Sequence, residues 1–234
     1  NEAYQLYLQG RYHWNKRQPK EFEKAIAFFK QAIEKDPNYA LAFSGLADSY
    51  SQFPTYGDFR PKVYFPQAKQ AALKALELDP NLAEAHTSLA QIALFYEYDF
   101  TGAEKSFKRA IELDPRYPLP FNNRARAHAL GAKDHTRAIA DLDRAIQLNP
   151  RYGLAFENRA FSQLDLKDLD KAIADFTKAL EFSPTSARAF NGRGVAYERK
   201  GNRALAIADY RRALDANSGF SAARENLTRL GEKP

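Results

Sequence analysis

Cysteine is absent from the 234-residue chain, which excludes disulfides, thiolate metal sites and cysteine nucleophiles together. Only four histidines are present. None of them forms an H-x-x-x-H or HExxH arrangement, so zinc has no set of ligands here. No run of about 18 uninterrupted apolar residues occurs, so the sequence predicts no membrane-spanning helix.

Methionine is also absent, so the chain lacks an initiator residue. Its first four residues, Asn1-Glu2-Ala3-Tyr4, do not have the basic and then apolar layout of a signal peptide. We therefore expect a fragment, a processed chain or an engineered chain, and we predict a cytoplasmic location.

The net charge of +6 is unevenly distributed along the chain. Residues 1–117 hold 15 Lys and Arg against 15 Asp and Glu, whereas residues 118–234 hold 20 against 14. A basic second half is expected to attract acidic partners, although net charge alone supports only steering.

Six short segments of similar sequence recur along the chain. They are EKDP, ELDP, ELDP, QLNP, EFSP and DANS, and they end at anchor positions Pro37, Pro80, Pro115, Pro150, Pro184 and Ser218. Successive anchors lie 43, 35, 35, 34 and 34 residues apart. A nearly fixed period of this length indicates an array of helical repeats.

Alanine lies five residues and twelve residues before every anchor, and a mostly larger residue lies eight before it. The residues eight before the anchors are Phe29, Ala72, Phe107, Leu142, Phe176 and Tyr210. These three offsets share one face of a helix, where small residues beside a larger one allow a second helix to pack closely. The proline at five of the anchors then ends the helix.

A second amphipathic helix is predicted after each anchor, so each repeat reads as two helices joined by a short turn. The closing helix of four repeats is expected to begin at a residue whose side chain caps the amides of its first turn. These residues are Asp99, Asp134, Asp168 and Asn202.

This pattern resembles the tetratricopeptide repeat, abbreviated TPR, over nearly the whole chain. The resemblance implies an all-α fold, a right-handed α-solenoid of six TPR-like helical hairpins with a C-terminal capping helix. The hairpins are predicted at residues 1–36, 38–79, 82–114, 118–149, 152–183 and 186–216, with the capping helix at 219–231. Residues 1–117 would hold hairpins one to three and an insertion at 51–67, and residues 118–234 the remaining elements.

The two halves resemble different bacterial arrays. The motifs RAIADL, KAIADF and LAIADY of the second half are similar to regular bacterial TPR arrays. The first half, with YLQGRYHWNKR and ALAFSGLADSY, resembles arrays attached to bacterial signalling kinases and transcriptional regulators. Natural divergence and an engineered chimera joined near residues 116–118 both remain open.

Arginine and aspartate replace apolar or small residues together in the second half. Arginine lies nine residues after an anchor where the first half has leucine, and aspartate lies nine residues before the next. Because these offsets lie at one level of a hairpin, we predict three structural ion pairs, with arginine gripping the carboxylate bidentately. The pairs are Arg124–Asp141, Arg159–Asp175 and Arg193–Asp209.

In the family that the chain resembles, the first helices of successive hairpins line a concave surface that binds peptides. We predict a peptide-binding groove from the polar and apolar residues that remain on these helices. They are Ser44, Asp48, Thr87, Gln91, Asn122, Arg126, Glu157, Asn158, Phe161, Arg188, Asn191, Val195 and Arg199. A merely solvated face is the alternative interpretation.

Some relatives grip a C-terminal carboxylate with lysines and asparagines on three first helices, and this chain matches that clamp only in part. Asn158 and Arg188 lie at matching positions, but Asn122 replaces a lysine and Arg126 an asparagine. We therefore expect an acidic peptide held by Arg126, Arg188 and Arg199. The insertion at 51–67, rich in aromatic residues such as Phe53, Tyr56, Phe59, Tyr64 and Phe65, is either a second contact surface or folds back on the array.

The sequence therefore predicts a non-enzymatic scaffold that binds a protein or peptide, without a cofactor or metal. It contains neither a phosphate-binding glycine loop after a strand nor a G-x-S-x-G turn. Two alternatives to peptide binding stay open. Nucleic acid would bind the basic half, but apart from the paired arginines the sequence has no recurrent set of side chains that could read bases. Self-association into a homo-oligomer would use the ends of the array.

Overall fold

The computed structural model describes residues 2–16, 18–56 and 60–233, and every regular element in those ranges is helical. The helices are α1 (Glu2–Asn15), α2 (Pro19–Lys35), α3 (Ala40–Tyr56), α4 (Pro61–Leu78), α5 (Ala83–Ile92), α6 (Phe100–Leu113), α7 (Pro118–Ala127), α8 (His135–Leu148), α9 (Gly153–Asp165), α10 (Leu169–Phe182), α11 (Ala187–Arg199), α12 (Arg203–Ala216) and α13 (Ser221–Arg229). Single π-helical turns, Ala93–Glu97 and His128–Ala132, extend α5 and α7. None of these helices is both long enough and apolar enough to cross a membrane.

The chain divides into two compact units, unit 1 (Asn1–Asn123) and unit 2 (Arg124–Pro234), with the division inside α7. In unit 1, α1 pairs with α2, α3 with α4 and α5 with α6, while α2 packs on α3 and α4 on α5. In unit 2, α9 pairs with α10 and α11 with α12, while α8 packs on α9, α10 on α11 and α13 on α12. Hairpins in each unit are therefore stacked in chain order, and the predicted all-α solenoid class is confirmed.

The recurrent alanines form the contacts between the helices. All twelve alanines at the two conserved offsets before the anchors are 0% exposed. The large residue between them is equally buried, as at Phe29, whose ring lies between α1 and α3. A Cβ added at Gly10 or at Gly45 would lie only 2.5 Å from a carbon of that ring. Glycine at these two positions therefore allows the close approach that the repeat requires.

The turns inside hairpins three to six share a backbone feature. The residue two positions before the first residue of the closing helix has a positive φ, which favours glycine sterically. These residues are Tyr98, Lys133, Lys167 and Gly201, with φ of 57°, 52°, 62° and 82°. Only the last turn uses glycine, so the other three hold a side chain in a conformation that costs free energy.

Two of the four predicted helix caps are present. Asp99 and Asp134 each accept a hydrogen bond at 2.9 Å from an amide in the first turn of α6 and of α8. Asp168 and Asn202 make no side-chain capping bond, so the prediction is wrong at those residues. The Asp168 carboxylate instead lies 2.6 Å from the Nζ of exposed Lys171.

The predicted insertion at 51–67 consists largely of helix. The hairpin is lengthened because α3 continues to Tyr56 and α4 begins at Pro61. Tyr64 stacks on Tyr50, with ring centroids 6.2 Å apart, and Phe65 stacks on Tyr96 at 5.1 Å. These two rings therefore pack on the unit. Phe59 and the side chains of Phe53 and Tyr56 lie outside the described residues.

The C-terminal helix α13 is shorter than the predicted span of 219–231. Its apolar side, Ala223 and Leu227, is 0% exposed against α12. Arg224 and Glu225 are exposed on its other side. This division of apolar and charged residues is what a terminal capping helix requires.

Candidate functional site

Three arginines of unit 2 each grip an aspartate of the same hairpin through two hydrogen bonds. The distances from Nε and Nη2 are 2.8 and 2.6 Å for Arg124–Asp141, 2.7 and 2.8 Å for Arg159–Asp175, and 2.7 and 2.9 Å for Arg193–Asp209. The carboxylates raise the pKa of Arg159 and of Arg193, because they hydrogen-bond to the charged guanidinium. All three aspartates are buried.

Two of these arginines also reach back to the preceding hairpin. Arg159 Nη1 lies 2.6 Å from Asp143 Oδ1, and Arg193 Nη1 lies 3.0 Å from Thr177 Oγ1. These two acceptors were not predicted, although both lie seven residues before an anchor. The arginines thus join helices within and between hairpins, and these donors are already used inside the protein.

Seven of the thirteen predicted groove residues are buried, which corrects the expectation of a solvent-facing stripe. They are Ser44, Asp48, Thr87, Gln91, Asn122, Glu157 and Asn158. The reason is that the first helices of neighbouring hairpins touch: α3 packs beside α5, and α9 beside α11. A side chain that points along the array is therefore covered by the next helix.

Three of the buried groove residues of unit 1, Asp48, Thr87 and Gln91, are hydrogen-bonded inside the unit. Asp48 accepts hydrogen bonds from Arg11 Nη1 at 3.1 Å and from Ser88 Oγ at 2.5 Å. Gln91 Oε1 accepts from Ser51 Oγ at 3.2 Å, and the Thr87 hydroxyl donates at 2.8 Å to a carbonyl of its own helix. These side chains join α1, α3 and α5.

Five residues of unit 2, Glu157, Asn158, Phe161, Ser186 and Arg188, form what we call the Arg188 cluster. Arg188 Nη1 donates to the Glu157 carboxylate and, at 3.1 Å, to Asn158 Oδ1. Its guanidinium carbon lies 4.2 Å from the centre of the Phe161 ring, and Ser186 Oγ donates to Glu157 Oε2 at 2.7 Å. Stacking and hydrogen bonds therefore fix the guanidinium plane while 46% of the side chain stays exposed.

The remaining predicted groove residues of unit 2 lie on or near this cluster. Asn191, one turn after Arg188, accepts a hydrogen bond at 3.0 Å from Asn226 Nδ2 of α13, and Val195 is half-buried after it. Exposed Arg199 donates at 2.9 Å to the Leu164 carbonyl. Arg126 is half-buried on α7. The arginines predicted to grip an acidic peptide thus include two, Arg188 and Arg199, that already make internal contacts.

A second group of polar residues, in unit 1, consists of Tyr7, Arg11, Ser44, Asp48, Glu84 and Ser88, and we call it the unit 1 polar face. Burial raises the pKa of Tyr7 to about 12. Burial also raises the pKa of Glu84, and the nearby charges of Asp48 and Asp114 add to that rise. Buried Ser44 Oγ makes no hydrogen bond within the described part of the chain.

Tyr7 and Arg11 were not predicted as site residues, whereas Glu84 lies on the helix stripe from which the groove was predicted. The two residues of α1 could not be assigned because the register of this helix was uncertain from the sequence. Gly10 is the residue that determines the register. Gly10 meets the Phe29 ring as Gly194 meets the Tyr210 ring, so Tyr7 and Arg11 occupy the places of Asn191 and Val195. No group of three or more His, Asp or Glu residues in the described ranges is arranged to hold a metal ion.

Comparisons with known proteins match the repeat architecture. A model described as a TPR repeat matches residues 162–201, and two described as tetratricopeptide repeats match residues 94–153 and 187–220. The transcriptional regulator HilA of Salmonella typhimurium is 30% identical over 80 residues, which are 34% of this chain and 14% of HilA. The matched segment thus spans only about one seventh of that relative.

Solved structures share the fold over most of the chain. YrrB, a TPR protein with an unusual peptide-binding site, is 24% identical, with a TM-score of 0.58 over 86% of this chain and 97% of YrrB. The Cut9–Hcn1 structure of the APC/C gives a TM-score of 0.78 at 19% identity, over 99% of this chain and 46% of the matched one. At these identities the likeness establishes the fold alone.

Proposed function

Because the chain is a tetratricopeptide repeat array, a fold typical of protein–protein interaction scaffolds, we propose that it is a non-enzymatic scaffold that binds an acidic segment of a partner protein. The binding site in this proposal is the Arg188 cluster with Asn191 and Val195 beside it. This site lies on α9 and α11, the first helices of the last two hairpins, on which we expect a peptide to bind.

The observation that carries the proposal is the geometry of Arg188. Glu157 and Asn158 take hydrogen bonds from Nη1, and no residue in the described ranges accepts one from Nε or Nη2. Those two nitrogens form the fork that binds a carboxylate bidentately. The ring of Phe161 and the bond to Glu157 hold the fork in place before a ligand arrives, which lowers the entropy lost on binding.

The neighbouring residues supply the rest of a peptide contact. Asn191 uses its side-chain oxygen as the acceptor for Asn226, so its amide nitrogen is the group that would donate to a ligand. Val195 offers an apolar surface one further turn along α11. Nucleic acid is not the proposed partner, because the recurrent arginines of unit 2 are occupied by aspartates and a threonine.

A selection from a random peptide display library on the immobilised chain tests the proposal. We expect the recovered peptides to be rich in Asp and Glu and to bind with a Kd measurable by fluorescence polarisation. Arg188→Gln should weaken an acidic peptide at least about tenfold, because one charge-assisted hydrogen-bonded pair contributes roughly 1.5–3 kcal/mol.

Arg144→Gln is the matched control. Arg144 is half-buried on α8 and its side chain bonds Gln147 one turn away. Its replacement therefore changes the net charge equally, outside the Arg188 cluster, and should leave the affinity nearly unchanged. Recovery of no peptide, or an equal loss of affinity in both variants, would contradict the proposal.

A further inference from the structure

One carboxylate of the unit 1 polar face, that of Glu84, makes no ion pair within the described ranges. Glu84 lies in the first turn of α5 and is half-buried. No cation in the described ranges forms an ion pair with it. The Arg11 charge acts favourably on Glu84, but Arg11 itself is bound to Asp48 at 3.1 Å. The negative charges of Asp48 and Asp114 act unfavourably on Glu84. A desolvated carboxylate in such surroundings is costly unless a cation neutralises it.

The repeat itself shows where that cation belongs. Glu157 lies seven residues after its anchor and Arg188 four residues after the next, and the two side chains bind each other in unit 2. Ser44 and Glu84 occupy the same two positions in unit 1. In unit 1 the acidic residue is at the second position, and the first position holds a serine instead of an arginine that could pair with it. Unit 2 thus supplies both charges of this pair from the chain, whereas unit 1 supplies only the negative one.

Ser44 gives an independent sign of a missing ligand. Its residue is 1% exposed, and its hydroxyl has no hydrogen-bond partner within the described ranges. It lies one helical turn before Asp48 and therefore on the same side of α3. Buried hydroxyls are nearly always hydrogen-bonded in proteins, so an unmet one beside a carboxylate indicates a group that binds there.

Tyr7 closes the site on the α1 side. Its ring packs edge-on against Tyr39, with centroids 5.5 Å apart, and the charges of Glu84 and Asp48 both act on its hydroxyl. An aromatic ring next to a carboxylate is a favourable environment for an organic cation.

We propose that the unit 1 polar face binds the guanidinium or ammonium group of a partner's arginine or lysine, with Glu84 as its counter-ion and Ser44 Oγ as an acceptor. This proposal deepens the scaffold function proposed above and rests on it. The incoming cation takes the place of the arginine that unit 2 supplies internally.

The test uses small probes on the full chain. Uniformly ¹⁵N-labelled protein is titrated with N-acetyl-arginine methylamide and, separately, with N-acetyl-citrulline methylamide, which has the same shape but no charge. We expect saturable shifts of the Ser44, Glu84 and Ser88 amides with the arginine probe, and at least about fivefold weaker binding of the citrulline probe. Equal binding of both probes, or no shift at these amides, overturns the proposal.

Glu84→Gln preserves the shape of the side chain and should weaken the arginine probe by at least about fivefold. Glu77→Gln is its control, because Glu77 is exposed and paired only with Lys74. Circular dichroism checks that both variants are folded. An unchanged affinity in folded Glu84→Gln overturns the proposal.

The outcome is separable from that of the scaffold proposal. In the Glu84→Gln variant, acidic peptides should bind the Arg188 cluster whether or not the arginine probe binds the unit 1 polar face. Loss of probe binding alone therefore leaves the scaffold proposal intact, and failure of acidic peptides to bind overturns that proposal without affecting the probe result.

Discussion

Two equal truncations of the arginine–aspartate pairs are expected to have unequal effects on stability. Asp209→Ala and Asp175→Ala each remove a buried carboxylate that takes two hydrogen bonds from an arginine. The arginines that remain differ in their second partner. Without Asp175, Arg159 keeps the Asp143 carboxylate at 2.6 Å, whereas without Asp209, Arg193 keeps only the Thr177 hydroxyl at 3.0 Å.

The Arg193–Asp209 pair is also more deeply buried than the Arg159–Asp175 pair, which predicts the same order of costs. The side chains of Arg193 and Asp209 are 12% and 4% exposed, against 20% and 11% for Arg159 and Asp175. Removing one member of a buried pair leaves the other charge unpaired and costs roughly 3–5 kcal/mol. We expect Asp209→Ala to fall in that range. Asp175→Ala should cost about 1.5–3 kcal/mol, the value of hydrogen bonds to a charged group that retains another carboxylate.

Urea unfolding followed by circular dichroism measures both values, and Asp175→Ala with Asp143→Ala shows whether Asp143 supplies the difference. We expect the double variant to cost more than the sum of the single variants, because only then does Arg159 lose both carboxylates. Equal costs for the two single variants, or costs under about 0.5 kcal/mol, which are usual for surface substitutions, would refute the reasoning.

Three further predictions concern local features. Burial raises the pKa of Glu84 above its unfolded value of about 4.3. The ionised carboxylate therefore costs no folding free energy below that pH, and the cost grows as the pH rises through the folded pKa. Glu84→Gln should raise the Tm at neutral pH, with the gain vanishing in acid, and a gain independent of pH would contradict this assignment. Tyr98→Gly should stabilise the chain by roughly 0.5–1 kcal/mol, because Tyr98 has a φ of 57° and the residue is 73% exposed. Gly201→Ala, at a φ of 82°, should destabilise it by about 1–2 kcal/mol. Thermal unfolding of both variants checks the opposite signs. Gly192→Ala should cost about 1–3 kcal/mol, because the added methyl group would overlap the Phe176 ring, and a Tm equal to that of the parent chain would contradict that packing.

The fold was predictable because its contacts depend on the size of residues at fixed spacing. Alanine at the same two offsets in six hairpins determines which helix faces meet, and those alanines are fully buried. The insertion was harder to predict. Pro61 and Pro66 and a run of aromatic residues suit a loop, yet Pro61 is tolerated at the start of α4, and stacking of Tyr64 and Phe65 on neighbouring rings favours the longer helices.

The candidate site was predictable only in part, for a physical reason. Spacing identifies which residues share a helix face, but it does not determine how much of that face the next hairpin covers. Asp48 and Glu157 were therefore expected in an open groove, whereas α5 and α11 pack over them. The position of Glu84 on the stripe was predictable from its spacing. Its lack of an ion pair was not, because which side chains meet is visible only in three dimensions.

The account depends most on the claim that partners bind the first helices of the hairpins. Hydrogen–deuterium exchange of the full chain, with and without a selected acidic peptide at saturation, tests this directly. We predict slower exchange in α9 and α11 and no change on the exposed sides of α10 and α12. Protection confined to α10 and α12, with α9 and α11 unchanged, would contradict the account.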